Sequence, residues 1–249
     1  MNKISTKNMK KRADSFHDSA EAVEFRRLEH RLYNNAEWKK RKIFMVTSAN
    51  LGEGKSTISS FLSLTHAHNR RIKTLLVDCD LHRPRINKLF DLPQENGLAE
   101  YFENRIGVED LVRDTAIPLL KIITAGKSTE KTSELMATAP LQALISSLRS
   151  QFDIIILDSP PIIPVSDPLI ISDVVDGIYL VMKAGHSKKK MVKHAIEMLG
   201  ERSEKIVGAI INNSMNVMPY YYNYSYYGKK YKQSSKDEKE TATAKEASV

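Results

Sequence analysis

The stretch TSANLGEGKSTISS, residues 47–60, carries the residue types that a phosphate cradle needs. Small residues let backbone N–H groups close around phosphate oxygens, a lysine meets the outer phosphates, and a hydroxyl reaches Mg²⁺. Gly52, Glu53, Gly54, Lys55, Ser56 and Thr57 stand in those places. An apolar run precedes them and a helical pattern follows, so the positive end of a new helix faces the same anion. The strict spacing has a glycine five residues before Gly54; here that residue is Ala49. The chemistry expected is the binding of a nucleoside triphosphate with Mg²⁺.

Two later apolar runs end in carboxylates. TLLVDCDLHRP brings Asp78 and Asp80, and IIILDSPP brings Asp158. In open α/β sheets, ligands sit beyond the carboxyl ends of the strands. The three aspartates are therefore expected to converge on the phosphate cradle. Ser56, Asp80 and Asp158 are candidates to hold Mg²⁺ directly or through water. Asp78 or Asp80 is a candidate to accept a proton from an incoming nucleophile. Cys79, between two of them, reads as a packing residue. Asn212, just after the last apolar run, is a candidate to read the base or a turn former at a strand end.

The elements that must position these groups follow from hydropathy. Strands are expected at 43–48, 74–78, 119–125, 153–161, 177–184 and 206–213, as near-continuous apolar runs. Helical patterns alternate with them, at about 55–68, at 139–152, after Ser166–Pro168 and at 188–200. That alternation predicts an α/β fold, a parallel sheet with helices on both faces. Residues 21–40 read as an amphipathic helix ahead of the first strand. The expected organisation is a flexible basic segment at 1–20, a domain at 21–217 with its sheet core at 43–213, and a disordered tail at 218–249.

Composition narrows the classes. The 249 residues suit one large domain. No apolar run is long enough to span a membrane, and the basic first twenty residues lack the apolar segment of a signal peptide. A lone cysteine excludes an internal disulfide and suits a reducing compartment. The formal charge of +8 suits an anionic ligand or surface; the basic runs at 38–42 and 187–191 read as solvated faces. One feature is unusual for a tail: seven of the ten tyrosines lie in residues 220–231, where a disordered segment should be poor in aromatics.

These motifs together resemble the bacterial tyrosine kinases (BY-kinases) of capsular and exopolysaccharide systems, in the form where kinase and membrane activator are separate chains. In that family GEGKST is the Walker A motif, LLVDCD the Walker A-prime motif and IIILDSPP the Walker B motif. The resemblance covers about residues 21–231. It implies a P-loop fold of the MinD/ParA kind, ATP and Mg²⁺ as cofactors, and Lys55, Asp78, Asp80 and Asp158 as catalytic residues. It implies that Tyr220, Tyr221, Tyr222, Tyr224, Tyr226, Tyr227 and Tyr231 are phosphoacceptors, used in trans. It further implies a homo-oligomer, a membrane activator, a cognate phosphatase and protein substrates, with no nucleic acid, at the inner face of the membrane.

The sequence also departs from the family. Leu51 stands where Pro is usual, and His82, followed by Arg83, where Arg is usual. The family's Glu-x-x-Arg-x-x-Arg helix motif is matched by Glu24 and Arg27, but His30 holds the third place and Arg31 comes one residue late. Asn50 stands where MinD/ParA ATPases carry a signature lysine. A positioning ATPase and a catalytically weak ATP-binding adaptor are the alternative readings.

Overall fold

Strand alternation decides which helices cover which face. The structure, a computed structural model, describes residues 20–33, 40–128 and 136–212. Its strands are β1 (Ile43–Ser48), β2 (Thr74–Asp78), β3 (Arg113–Asp114), β4 (Leu120–Ile123), β5 (Ile154–Asp158), β6 (Gly177–Lys183) and β7 (Ile206–Asn212). Its α-helices are α1 (Ala20–Tyr33), α2 (Lys55–Asn69), α3 (Ile86–Leu89), α4 (Leu98–Phe102), α5 (Thr138–Leu148), α6 (Asp167–Asp173) and α7 (Lys189–Leu199). Successive strand residues point to opposite faces. Ile43, Met45, Leu75, Val77, Ile155, Leu157, Ile178 and Leu180 share one apolar layer with residues of α4, α5, α6 and α7. Phe44, Val46, Leu76, Ile154, Ile156, Tyr179 and Val181 share the other with α1, α2 and α3. Strands buried on both faces explain the continuous apolar runs.

The strand order is β3-β4-β2-β5-β1-β6-β7. Every neighbouring pair is parallel except β3 with β4, which is antiparallel. The expected all-parallel sheet thus gains one short antiparallel edge strand, a two-residue Arg-Asp pair with no hydropathy signal. Several edges also move inward. The run at 119–125 yields a strand only at Leu120–Ile123, and 153–161 one only at Ile154–Asp158. The N-terminal helix is described to Tyr33, short of the expected 40; residues 34–39 lie outside the described residues, as do 1–19 and the tyrosine cluster. The compact unit closes at Asn212.

Two charged contacts, one buried and one part-buried, fix elements at the sheet's periphery. Glu29 on α1 places its carboxylate 3.4 Å from both His66 Nδ1 and Arg70 Nε, at and just beyond the end of α2. Asp176, just before β6, accepts hydrogen bonds from the Lys42 and Ile43 amides at 2.8 and 3.0 Å and from Arg149 at 3.1 Å. It thereby locks the start of β1 to β6.

Burial pushes the Asp176 carboxyl up, but those two amides and Arg149 outweigh it and hold it below the usual range. The fold therefore prefers the ionised form. That stabilisation is present above the unfolded pKa and is lost as pH falls through the depressed folded value. Asp176→Asn should cost about 1 to 2 kcal/mol at neutral pH. The gap from wild type should close below about pH 4. Urea melts across pH check this; a gap that persists in acid would contradict it.

Candidate active site

The site is built where β1, β2 and β5 end. Even-numbered residues of β2 and β5 face the α2 side of the sheet, so Asp78 and Asp158 both project beneath α2. The strands are in a register that places Asp78 directly opposite Asp158. Both are fully buried. Asp80 follows two residues beyond the end of β2 and is nearly buried as well.

β1 feeds the turn 49–54. Gly52 has φ 76° and Gly54 has φ 95°, a left-handed backbone that glycine adopts at no steric cost. At Gly54 the requirement is double, because a Cβ there would overlap the side-chain amide of Asn212. Asn212 Nδ2 donates to the Glu53 carbonyl at 3.0 Å, so the end of β7 braces the turn. The Glu53 carboxylate is turned inward. It accepts from the Asn50 amide at 2.9 Å and from the Ser187 hydroxyl. Its side chain holds the turn's shape, which leaves its backbone N–H as the group it can offer a phosphate. Helix α2 then starts at Lys55 with no side-chain cap, so the first amides of that helix have no capping acceptor.

The buried charges have identifiable partners that compensate them only in part. Asp78 Oδ1 accepts from the Asp80 amide at 3.2 Å, and Oδ2 accepts from the Arg85 and Ile86 amides at 3.1 and 3.0 Å. Desolvation and the neighbouring Asp158 still push its carboxyl well above the usual range. Asp158 is pushed up to about 6, chiefly by burial, against the pull of Ser56, Lys55 and Ser59. The Ser59 hydroxyl lies 2.9 Å from Asp158 Oδ1 and 3.0 Å from the Lys55 carbonyl. Burial lowers the Lys55 ammonium, while Asp158, Asp80 and Glu53 push it back up. Lysine and the three carboxylates thus share one desolvated locus.

The structure brings together Lys55, Ser56, Asp78, Asp80, Asp158, the turn Gly52–Gly54 and Asn212. Thr57 is exposed on the first turn of α2. The tyrosines at 220–231 lie outside the described residues. Cys79 is buried in the apolar layer, as expected of a packing residue. Ser59 and Ser187 escape sequence reasoning. Ser59 carries one signal, a polar residue one turn after Lys55 on a helix face that is otherwise buried. Ser187 carries none, since 134 residues separate it from Glu53.

A cation fits this set. Asp158 Oδ2 is buried with no hydrogen-bond partner, beside Ser56 and Lys55. Among the described residues, no group of three or more His, Cys, Asp or Glu side chains is arranged to hold a metal unaided. Mg²⁺ takes one or two carboxylates and fills its remaining positions with phosphate oxygens and water. The donors present match that habit.

The raised Asp158 pKa has a consequence for stability. The fold prefers the protonated form, so its contribution is full at low pH and is lost as pH rises through about 6. In the presence of EDTA, Asp158→Asn should therefore stabilise the protein at pH 8, by roughly 2 kcal/mol. The gain should shrink as pH falls from about 6 toward about 4. A variant less stable than wild type at pH 8 would show that the buried carboxylate is well compensated instead.

A family model described as "ParA: NUBPL iron-transfer P-loop NTPase" matches residues 39–247. Iron transfer belongs to that description; this chain has one cysteine, and it is buried. The chain is 32% identical to the putative tyrosine-protein kinase CapB of Staphylococcus aureus, over 79% of its own length and 83% of that protein. It is 34% identical to the tyrosine-protein kinase CpsD of Streptococcus agalactiae, over 77% of the chain and 84% of the relative. Among solved structures, the VpsO kinase domain superposes with a TM-score of 0.71 at 30% identity, covering 80% of this chain and 97% of that one. A phosphate turn with Lys55, two facing aspartates at strand ends and relatives of this kind place the chain in the bacterial tyrosine-protein kinase family, on the ParA-type P-loop fold.

Proposed function

We propose that the protein transfers the γ-phosphoryl group of Mg·ATP to the tyrosines of its own C-terminal cluster, between subunits. The observation that carries this is the single buried locus in which Lys55, Asp80 and Asp158 face one another below the glycine turn. The backbone amides of Gly52, Glu53, Gly54, Ser56 and Thr57 bind and orient the phosphates. Lys55 draws negative charge from the outer phosphates as it develops. Ser56 and Asp158 hold the cation, with Asp80 close by. When bound, Mg²⁺ neutralises charge on the β- and γ-phosphates. Asp78, with both oxygens taken by backbone amides, shapes the loop that carries Asp80. That leaves Asp80 to accept the phenolic proton. The tyrosine oxygen bonds to the γ-phosphorus as the bond to the β-phosphate oxygen breaks, and ADP leaves.

A phenol has a pKa near 10 and is a weak nucleophile at neutral pH, so positioning and charge neutralisation carry the acceleration. The acceptors Tyr220, Tyr221, Tyr222, Tyr224, Tyr226, Tyr227 and Tyr231 follow closely on Asn212, which braces the phosphate turn. Tyr220 is eight positions after Asn212, and fully extended chain spans at most about 27 Å over that distance; Tyr231 reaches roughly twice as far. That reach allows transfer to a neighbouring subunit in an oligomer. Each transfer adds about −1.5 to −2 charge, so a fully modified cluster repels its neighbours.

Among the described residues, no helix is long and apolar enough to cross a membrane. Its resemblance to the BY-kinases of capsular and exopolysaccharide systems supports a role in the synthesis and export of such a polysaccharide. There the protein acts at the inner face of the membrane through a membrane-bound activator.

Mixing two chains tests both the site and the direction of transfer. One is Lys55→Met with its cluster intact; the other is active but truncated after Val217. Lys55→Met alone should show no phosphotyrosine while keeping the wild-type fold by circular dichroism. The mixture should place phosphate on the Lys55→Met chain. Phosphotyrosine on Lys55→Met alone would overturn the site assignment. An unlabelled mixture beside wild type that labels itself at a concentration-independent rate would overturn transfer between subunits.

A further inference from the structure

The loop that follows β2 carries Asp80, and its shape is set at three places. At its start, the Cys79 amide donates to the Asp158 carbonyl at 2.8 Å and the Asp80 amide to Asp78 Oδ1. At its end, the Arg85 and Ile86 amides converge on Asp78 Oδ2. Within the loop, the Arg83 amide donates to Asp80 Oδ1 at 2.9 Å. Apart from the Cys79 bond to β5, these bonds stay within residues 78–86. The middle of the loop reaches elsewhere. His82 Nε2 lies 3.1 Å from Oδ2 of Asp167, 85 residues away.

Asp167 is a fixed point. It is the first residue of α6, and its side chain is 3% exposed while that of His82 is 27% exposed. A carboxylate in the first turn of a helix is favoured by the helix dipole. Ile171 of the same helix is fully buried in the apolar layer beneath. A neutral His82 with its proton on Nε2 donates to this carboxylate, and so does a charged one.

We infer that the His82–Asp167 contact is a clasp that positions Asp80 for phosphoryl transfer, tying the loop after β2 to the helix after β5. His82 is a positioning residue here; it acts through the loop and touches no reacting atom. Asp80 is two residues from the clasp, and its carboxylate is oriented by the Arg83 amide on the clasp's other side. Freed of the clasp, the middle of the loop loses this tie to α6, and Asp80 is held only by the bonds to the Asp78 carboxylate and the Arg83 amide. Phosphate binding by the turn 49–57 uses none of these groups. Loss of the clasp should therefore slow transfer without weakening nucleotide binding.

This inference rests on the site assigned above, and its test separates the two. Turnover and the affinity for a fluorescent ATP analogue are measured for His82→Ala, His82→Arg, Asp167→Ala and the double alanine variant, with Lys55→Met as control. His82→Ala should lower kcat by about 10- to 100-fold, the scale of a misplacement near 1 Å, with nucleotide affinity changed by less than about threefold. His82→Arg should recover most of the rate, because a guanidinium reaches the same carboxylate. The double alanine variant should be no slower than the worse single one, as for two residues acting as a unit. A His82→Ala chain that turns over like wild type while Lys55→Met is dead overturns the clasp alone. An active Lys55→Met overturns the site itself. Losses that multiply in the double variant, an arginine variant as slow as alanine, or nucleotide affinity lost along with rate each overturn the positioning role.

Discussion

Two carboxylates face each other across adjacent buried strands, and the loop after β2 and the start of α2 are arranged around them. Asp78 and Asp158 are register partners on β2 and β5. Neighbouring strands lie about 5 Å apart. At an effective dielectric of about 20, two full charges at that spacing repel by roughly 3 kcal/mol. The surroundings answer the two charges differently. Asp78 receives three backbone amides, so its loop wraps around it. Asp158 receives Ser56, Ser59 and the field of Lys55, but keeps one oxygen without a partner. One aspartate is built into the fold, and the other is left with capacity for a cation. The charge that its partners leave uncompensated on Asp158 costs stability, and a bound cation would relieve it.

The same register links the parts of the site. A slip of one residue in β2 or β5 would turn a carboxylate to the α5 face and away from α2. Because both faces of β2 and β5 are apolar, hydropathy alone does not fix the register of these strands. The glycine turn is in turn braced by Glu53 and Asn212, so the last strand contributes to the shape of the first loop. In the sequence, the tyrosine-rich segment begins eight positions after Asn212.

Most of the core was legible because buried parallel strands are written as unbroken apolar runs, and because Gly52, Gly54 and Lys55 have a spacing few other structures need. The convergence of Asp78, Asp80 and Asp158 followed from their common place at strand ends. Other features left no local trace. β3 is a two-residue antiparallel edge defined by pairing with β4. Glu53 reads as one more residue of the phosphate turn, yet its carboxylate faces inward to Ser187. His82 reads as a departure from an arginine. Its link to Asp167 depends on how two loops 85 residues apart are brought together, and no periodicity encodes that.

Transfer of a phosphoryl group onto the tyrosine cluster, and not nucleotide hydrolysis alone, is what the proposed function requires of this locus. It is tested most directly by incubating the purified protein with Mg·ATP, with and without the cytoplasmic segment of a candidate membrane activator, and mapping phosphate by mass. Transfer places phosphate on several tyrosines between Tyr220 and Tyr231, increased by the activator segment. ATP consumed to ADP and free phosphate with that cluster unmodified under both conditions would contradict it.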